Sequence, residues 1–219
     1  MKLSVFGPRG CGKTTYLTCL YGQGGKIGSF AISAQDEKTR TYLADRWYQL
    51  INGTELPPTA LSMVELHLAF SANRQSYDIE LKDFAGALIM RQSNKDEIKE
   101  KLKEILFKSF HESSGLMIFL EAGEVDMSKQ FDRHVEVDAL LEVLRQKGKR
   151  SLISCPIGII ITKWDKVAAK IEKSDQTKEA ESFVEQNYPN LYSLIQECAE
   201  NVKIFASSSS ASLLASKKP

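Results

Sequence analysis

Long apolar runs, clustered cysteines, abundant histidine and an excess of charge of either sign are all missing from these 219 residues. The longest apolar stretch, Ile157 to Ile161 with its neighbours, falls far short of the roughly 20 residues that cross a bilayer, so no membrane span is expected. Met1-Lys2-Leu3 runs straight into a strand-like segment, so no signal peptide is expected. Cys11, Cys19, Cys155 and Cys198 form no C-x-x-C pair suited to zinc, and a reducing compartment fits them, most simply the cytoplasm. Three scattered histidines, His67, His111 and His134, do not make a histidine-based transition-metal site. Twenty-nine Lys and Arg against 28 Asp and Glu leave a formal charge of +1, so no bulk field draws the chain to nucleic acid or to an anionic membrane. Recognition must therefore be local.

What is present is 42% apolar and 26% charged sequence, enough for one globular domain that buries about three-quarters of its extended surface. Runs rich in β-branched or aromatic residues predict six strands, at Leu3 to Phe6, Leu61 to Phe70, Tyr77 to Leu81, Leu116 to Leu120, Ile157 to Thr162 and Val202 to Phe205. Between them, apolar residues recur at helical spacing: Leu43, Trp47, Leu50 and Ile51; Ile98, Leu102, Ile105, Leu106 and Phe110; Val137, Leu140, Leu141 and Leu144; Leu191, Leu194, Ile195 and Cys198. Parallel neighbours need a crossover, usually helical, so this alternation predicts an α/β fold with a mostly parallel sheet and helices on both faces. Only six residues, Ser71 to Ser76, join the second and third strands, which makes them an antiparallel hairpin and places one antiparallel strand at the sheet's edge.

Gly7-Pro8-Arg9-Gly10-Cys11-Gly12-Lys13-Thr14 fits G-x-x-x-x-G-K-[ST] between the first strand and a helix at Thr15 to Tyr21. Average residue frequencies produce that pattern in roughly one chain of this length in a hundred, and the strand and helix flanks make chance a poorer account still. Its glycines let backbone N–H groups turn inward, and with the positive end of the following helix they form a concave anion site for phosphates. Lys13 adds a full charge for the β/γ-phosphates, and the Thr14 hydroxyl suits Mg2+. Two further clusters end strands: Asp83-Phe84-Ala85-Gly86, and Thr162-Lys163-Trp164-Asp165 after Ile159-Ile160-Ile161. Ligands of open α/β sheets bind beyond the carboxyl ends of the strands, so these segments can converge. A carboxylate such as Asp165 accepts both the ring N–H and the exocyclic amine of guanine, a pair that adenine does not offer.

In this order the residues resemble the Ras-like small GTPases and the related translation-factor-class GTPases, from Lys2 to about Ser209. The resemblance implies the three-layer P-loop NTPase fold, a single GTPase domain over 1–219, GTP and GDP with Mg2+ as cofactors, and Gly7, Arg9, Gly10, Cys11, Gly12, Lys13, Thr14 and Thr15 around the phosphates. It implies further that Asp83 holds Mg2+ through water, that the Gly86 N–H senses the γ-phosphate, and that Thr162, Lys163 and Asp165 grip guanine. Ser208 and Ser209 then correspond to a base-contacting loop, and Thr59, after Pro57-Pro58, to the switch threonine that reaches the metal and the γ-phosphate. The partners so implied are an effector or regulator protein engaging the two switch regions, with a homodimer or a larger multidomain context as further expectations. No prenylation box ends the chain, and no intrinsic membrane anchor is expected.

The sequence also departs from that pattern. Ala87 follows Gly86 where Ras-like proteins place a water-orienting glutamine, which predicts slow intrinsic hydrolysis. Arg9 is bulky and stands where its guanidinium can lie near the β/γ bridge, exclude a partner's arginine, or point to solvent. An insert at 23–58 carries a helix from Asp36 to Ile51; its apolar stripe either packs on the domain's own core or belongs to a nucleotide-gated element that presents Arg40 or Arg46 to the phosphates. Residues 210–219 form a short polar tail. The leading expectation is a GTP-hydrolysing molecular switch. The alternatives are a GTP-loaded interaction module with negligible hydrolysis and, with less support, a P-loop ATPase or kinase.

Overall fold

The computed structural model describes residues 2–8, 10–23, 30–54, 56, 64–72, 75–83, 95–123, 137–146, 153–168 and 176–208. Its elements in chain order are β1 (Lys2–Phe6), α1 (Lys13–Gln23), β2 (Phe30–Ala34), α2 (Glu37–Ile51), β3 (Val64–Ala72), β4 (Gln75–Asp83), α3 (Lys95–Glu112), β5 (Gly115–Glu121), α4 (137–146), β6 (Ile157–Thr162), α5 (Asp165–Ala168), α6 (Gln176–Asn187), α7 (Pro189–Cys198) and β7 (Val202–Ala206). One mixed sheet runs β2-β3-β4-β1-β5-β6-β7. The five strands from β4 to β7 in that order are parallel neighbours, while β3 pairs antiparallel with both β2 and β4.

The sheet thus has seven strands, one more than the apolar runs predict, and the antiparallel strand lies one place in from the edge. The extra strand is β2. Its five residues, Phe30-Ala31-Ile32-Ser33-Ala34, are too few and too small to stand out as a pattern, and it is held by a ladder from Phe30↔Ala72 to Ala34↔Leu68. The hairpin is also longer than expected. Ser71 pairs with Ser76 and Ala72 with Gln75, so residues that look like loop because they are small and polar belong to a ribbon whose Ser71 and Ser76 face solvent.

Strand alternation sorts the core into two layers. Leu116, Ile118, Leu120, Ile157, Ile159 and Ile161 point to one face and pack with residues of α3, α4, α6 and α7. Val5, Leu66, Leu68, Ile79, Leu81, Phe119 and Ile160 point to the other and pack with Leu17 of α1 and Leu43 of α2. Helices therefore cover both faces, which gives the three layers expected of the chain.

The helix of the insert is anchored at both ends. The Asp36 carboxylate caps α2, accepting from Thr39 N–H at 2.7 Å and from the Thr39 hydroxyl at 2.9 Å, and the backbone bond holds its carboxyl below the usual carboxylate range. The Thr39 oxygen also accepts from His67 N–H at 3.0 Å, which ties the first turn to β3. Farther along, Trp47 fills a notch at Gly22 of α1, where a Cβ would lie 2.1 Å from the indole Cδ2. Leu43 is fully buried, whereas Ile51 is exposed and leaves the stripe. Of the two uses considered for this helix, packing on the domain's own core is the one observed.

Candidate functional site

Because β4, β1, β5, β6 and β7 are parallel, the segments that follow them leave the sheet on one rim. Gly7, the first residue after β1, sits so close to β5 that an added Cβ would lie 2.6 Å from the Phe119 carbonyl oxygen and 2.9 Å from Cys11 Sγ. Any side chain here would push the loop off the sheet. Gly10 and Gly12 take positive φ values of 76° and 91°, Cys11 N–H donates to the Pro8 carbonyl at 3.2 Å, and α1 begins at Lys13. The Lys13 ammonium folds back over this loop and donates to the carbonyls of Gly7 at 2.6 Å and Pro8 at 3.2 Å. Lys13 is only 7% exposed, so these carbonyls offset the cost of removing its charge from water. The ammonium has three N–H donors; the carbonyls take two, and Cys11 Sγ lies 4.0 Å from the nitrogen. Thr14 and Thr15, half-buried, lie in the first turn of α1, where the helix dipole favours an anion.

The loop after β6 locks onto this one. The Thr162 hydroxyl bonds the Cys11 carbonyl and lies 3.0 Å from that of Leu120, sharing its single proton between them. Lys163 Nζ donates to the Gly10 carbonyl at 3.0 Å, across 153 residues of sequence. The same ammonium lies 2.5 Å from Glu121 Oε1 at the end of β5, and Lys166 Nζ stands 3.5 Å from that oxygen. Lys163 has φ 55°, a left-handed conformation that costs a side-chain-bearing residue roughly 1–2 kcal/mol and persists where neighbours enforce it. Trp164 is buried and meets Phe183 of α6 edge-on with ring centroids 5.7 Å apart, so it anchors the loop while its neighbour Asp165 is exposed at the start of α5.

The serine segment joins the same cluster through its backbone. Trp164 N–H donates to the Ser207 carbonyl at 3.1 Å, and Ser207 N–H donates to Ile161 at 2.7 Å. The tie is made by Ser207, one residue before Ser208, which is exposed at the rim. Asp83 ends β4 and stands opposite Val5 of β1, so its backbone is one strand spacing, about 4.8 Å, from the strand that feeds the phosphate-type loop. Arg9, Thr59, Gly86 and Ser209 lie outside the described residues.

Glu121 and Ser207 belong to the cluster without belonging to a motif. A signal for Glu121 exists in retrospect: a lone carboxylate ends the apolar run Leu116 to Leu120, and the ladder places it opposite Thr162. Neither arginine of the insert makes a bond that the structure records to the described loop residues. Arg40 is exposed, and Arg46 stacks on the Tyr42 ring with its Cζ 3.6 Å from the centroid and donates to the Tyr42 carbonyl at 3.5 Å. Its neighbour Trp47 sits at Gly22, nine residues and about 13 Å down α1 from Lys13.

A divalent cation here would find few protein oxygens, since no cluster of three or more His, Cys, Asp or Glu suited to a metal exists among the described residues. The Thr14 hydroxyl in the first turn of α1 is a hard donor of the kind Mg2+ takes, since that ion accepts one or two protein oxygens and completes its shell with phosphate and water. No helix among the described residues is long and apolar enough to cross a membrane.

No family model matches the chain, and no curated protein matches it. Among solved structures it is similar to sup35 complexed with GDP, at 12% identity and a TM-score of 0.43, over 99% of this chain and 38% of that one. It is also similar to an ADP-ribosylation-factor-like GTP-binding protein, the small COPII coat GTPase Sar1 of Encephalitozoon cuniculi in complex with GDP, at 13% identity and a TM-score of 0.40, over 100% of this chain and 74% of that one. The chain thus spans well under half the length of the first of these two, and its function has to be argued from its own loops.

Proposed function

We propose that this chain is a guanine-nucleotide-binding switch that hydrolyses GTP to GDP and phosphate. The observation that carries the reading is the pair of bonds from Thr162 and Lys163 to the carbonyls of Cys11 and Gly10. They join a phosphate cradle and a purine-reading segment into one unit on one rim of the sheet. In this reading the N–H groups of Gly10, Gly12 and Lys13 and the Lys13 ammonium receive the phosphates, the Cys11 N–H being engaged by the Pro8 carbonyl. The exposed Asp165 accepts the ring N–H and the amine of guanine, and Ser207 and Ser208 close the base pocket.

Thr14 and Asp83, joined by Thr59 in the triphosphate state, would hold Mg2+, whose contribution is counter-charge to the β- and γ-phosphate oxygens. Water attacks the γ-phosphorus in line with the departing β-oxygen. Lys13 and the loop amides stabilise the charge that moves onto the bridging and terminal oxygens, because they are aimed there before the reaction starts. Gly86 N–H and Thr59 bond the γ-phosphate and are released when it leaves, which changes the surface offered to an effector or regulator protein in the cytoplasm. Arg9 adds positive charge beside the β/γ bridge.

Ala87 supports a second reading, a GTP-loaded interaction module that scarcely hydrolyses, working as a homodimer or as one part of a larger assembly. Phosphate release separates the two, since turnover no faster than that of free GTP, with and without cell lysate, leaves only the second. Both rest on guanine. Asp165→Asn should weaken GDP binding by at least tenfold and raise affinity for xanthine nucleotides. Unchanged GDP affinity in that variant, or adenine nucleotide carried by the purified protein, overturns the assignment.

A further inference from the structure

Among the described residues, the rim contains a buried carboxylate to which the reaction above gives no part. Glu121 closes β5, is 6% exposed and stands opposite Thr162 in the β5–β6 ladder. A buried carboxylate is costly unless paired, and here Lys163 pairs with it at 2.5 Å and Lys166 at 3.5 Å. The arrangement is directional. Lys163 carries its ammonium on four methylenes, a stem that in water samples many rotamers, yet here it spans from Glu121 to the Gly10 carbonyl. Its backbone is constrained as well, because Lys163 is the one non-glycine residue with positive φ among the described residues. Gly123, two residues past Glu121, makes room for the second lysine: a Cβ there would lie 3.0 Å from Lys166 Cδ.

We propose that Glu121 is a positioning residue for nucleotide binding, clamping Lys163 on the Gly10 carbonyl so that the phosphate loop is ordered before ligand arrives. The proposal rests on the nucleotide-binding reading and adds a residue to it. With the carboxylate in place, Lys163 holds the Gly10 carbonyl, and the loop is ordered before a ligand arrives. Without it, Lys163 is free to leave for solvent, and the ligand has to order the loop as it binds. Lys166 is the weaker arm of the clamp, since its ammonium is a full ångström farther from the same oxygen.

The test compares GDP affinity in the full chain, Glu121→Gln, Lys163→Met and the double variant, together with amide hydrogen exchange without nucleotide. Glu121→Gln should weaken GDP binding about tenfold, the scale of one lost charge-assisted hydrogen bond, and should add nothing in the Lys163→Met background. In the unliganded protein it should speed exchange at residues 10–13 and leave β5 and β6 unchanged. GDP affinity within twofold of the parent chain, equal losses in both backgrounds, or exchange that rises throughout β5 and β6 overturns the proposal. If the parent chain binds no GDP, the guanine reading fails by itself, and the exchange comparison still decides the clamp: faster exchange confined to 10–13 supports it, and unchanged exchange overturns it. Should Glu121→Gln fail to fold, Lys163→Met carries the same exchange test.

Discussion

On one face of the sheet, Leu116, Ile118, Leu120, Ile157, Ile159 and Ile161 meet Leu140 and Leu144 of α4, Val184 of α6 and Leu191 of α7 in an apolar layer that Trp164 closes at the rim. On the other face, Leu66, Leu68, Ile79, Leu81 and Phe119 meet α1 and α2, and polar atoms are buried among them. Thr18 Oγ1, Arg46 Nε and Gln49 Oε1 have no hydrogen-bond partner there. An orphaned polar atom costs about 1–3 kcal/mol, so each of these lowers what the second layer contributes, and no such atom occurs in the first layer among the described residues. The difference matters for the site. The first face sets the ends of β5 and β6, and with them Glu121, Thr162 and Lys163, while the second carries α1, whose first turn is the end of the phosphate loop. Thr162 and Lys163 thus stand on the layer without such orphaned atoms among the described residues, and the start of α1 on the layer that has them.

The largest effect that would break this comparison is expected at Leu140, which is fully buried in the first layer. Leu140→Ala should lower the unfolding free energy in urea by about 2–5 kcal/mol, and a loss below 1 kcal/mol would mean that the layer collapses freely around the gap. Gly22→Ala probes the join between α1 and α2. Alanine gains about 1 kcal/mol over glycine in a helix, but its Cβ would lie 2.1 Å from Trp47, and overpacking of that kind costs about 1–3 kcal/mol. The net should be a loss, and a rise in stability would show that Trp47 leaves its notch without cost. The smallest effect sharpens the contrast. Thr18→Val preserves the shape of a fully buried side chain and removes its orphaned hydroxyl, so stability should stay level or rise by up to about 1 kcal/mol in the same urea assay. A clear loss would show that the hydroxyl has a partner.

Much of the framework was legible because it is written in local pattern. Ile157 to Thr162 is β6 with the bounds that its β-branched run suggests, and Asp36 opens α2 as a cap whose acceptor atoms face Thr39. Besides the four-residue α5, two elements were not legible, for opposite reasons. β2 is too short to show a period and exists through its pairing with β3. α6 has few apolar residues, with Ala180 and Val184 fully buried and Phe183 against Trp164, so its periodicity is carried by one narrow seam. At the site, the glycines, Lys13 and the T-K-W-D segment announce themselves, while Glu121 looks like the polar end of an apolar strand until Lys163 is seen beside it.

By itself the sequence determined the turn that follows β1, because glycine spacing and the helix start act within eight residues of chain, and it determined the alternation of strand with helix, because periodicity is a local property. Tertiary structure alone decided that the carbonyls of Gly10 and Cys11 would meet the side chains of Lys163 and Thr162. That meeting depends on β1, β5 and β6 lying side by side and in register, and strand order is a sum over the whole core that no single segment contains.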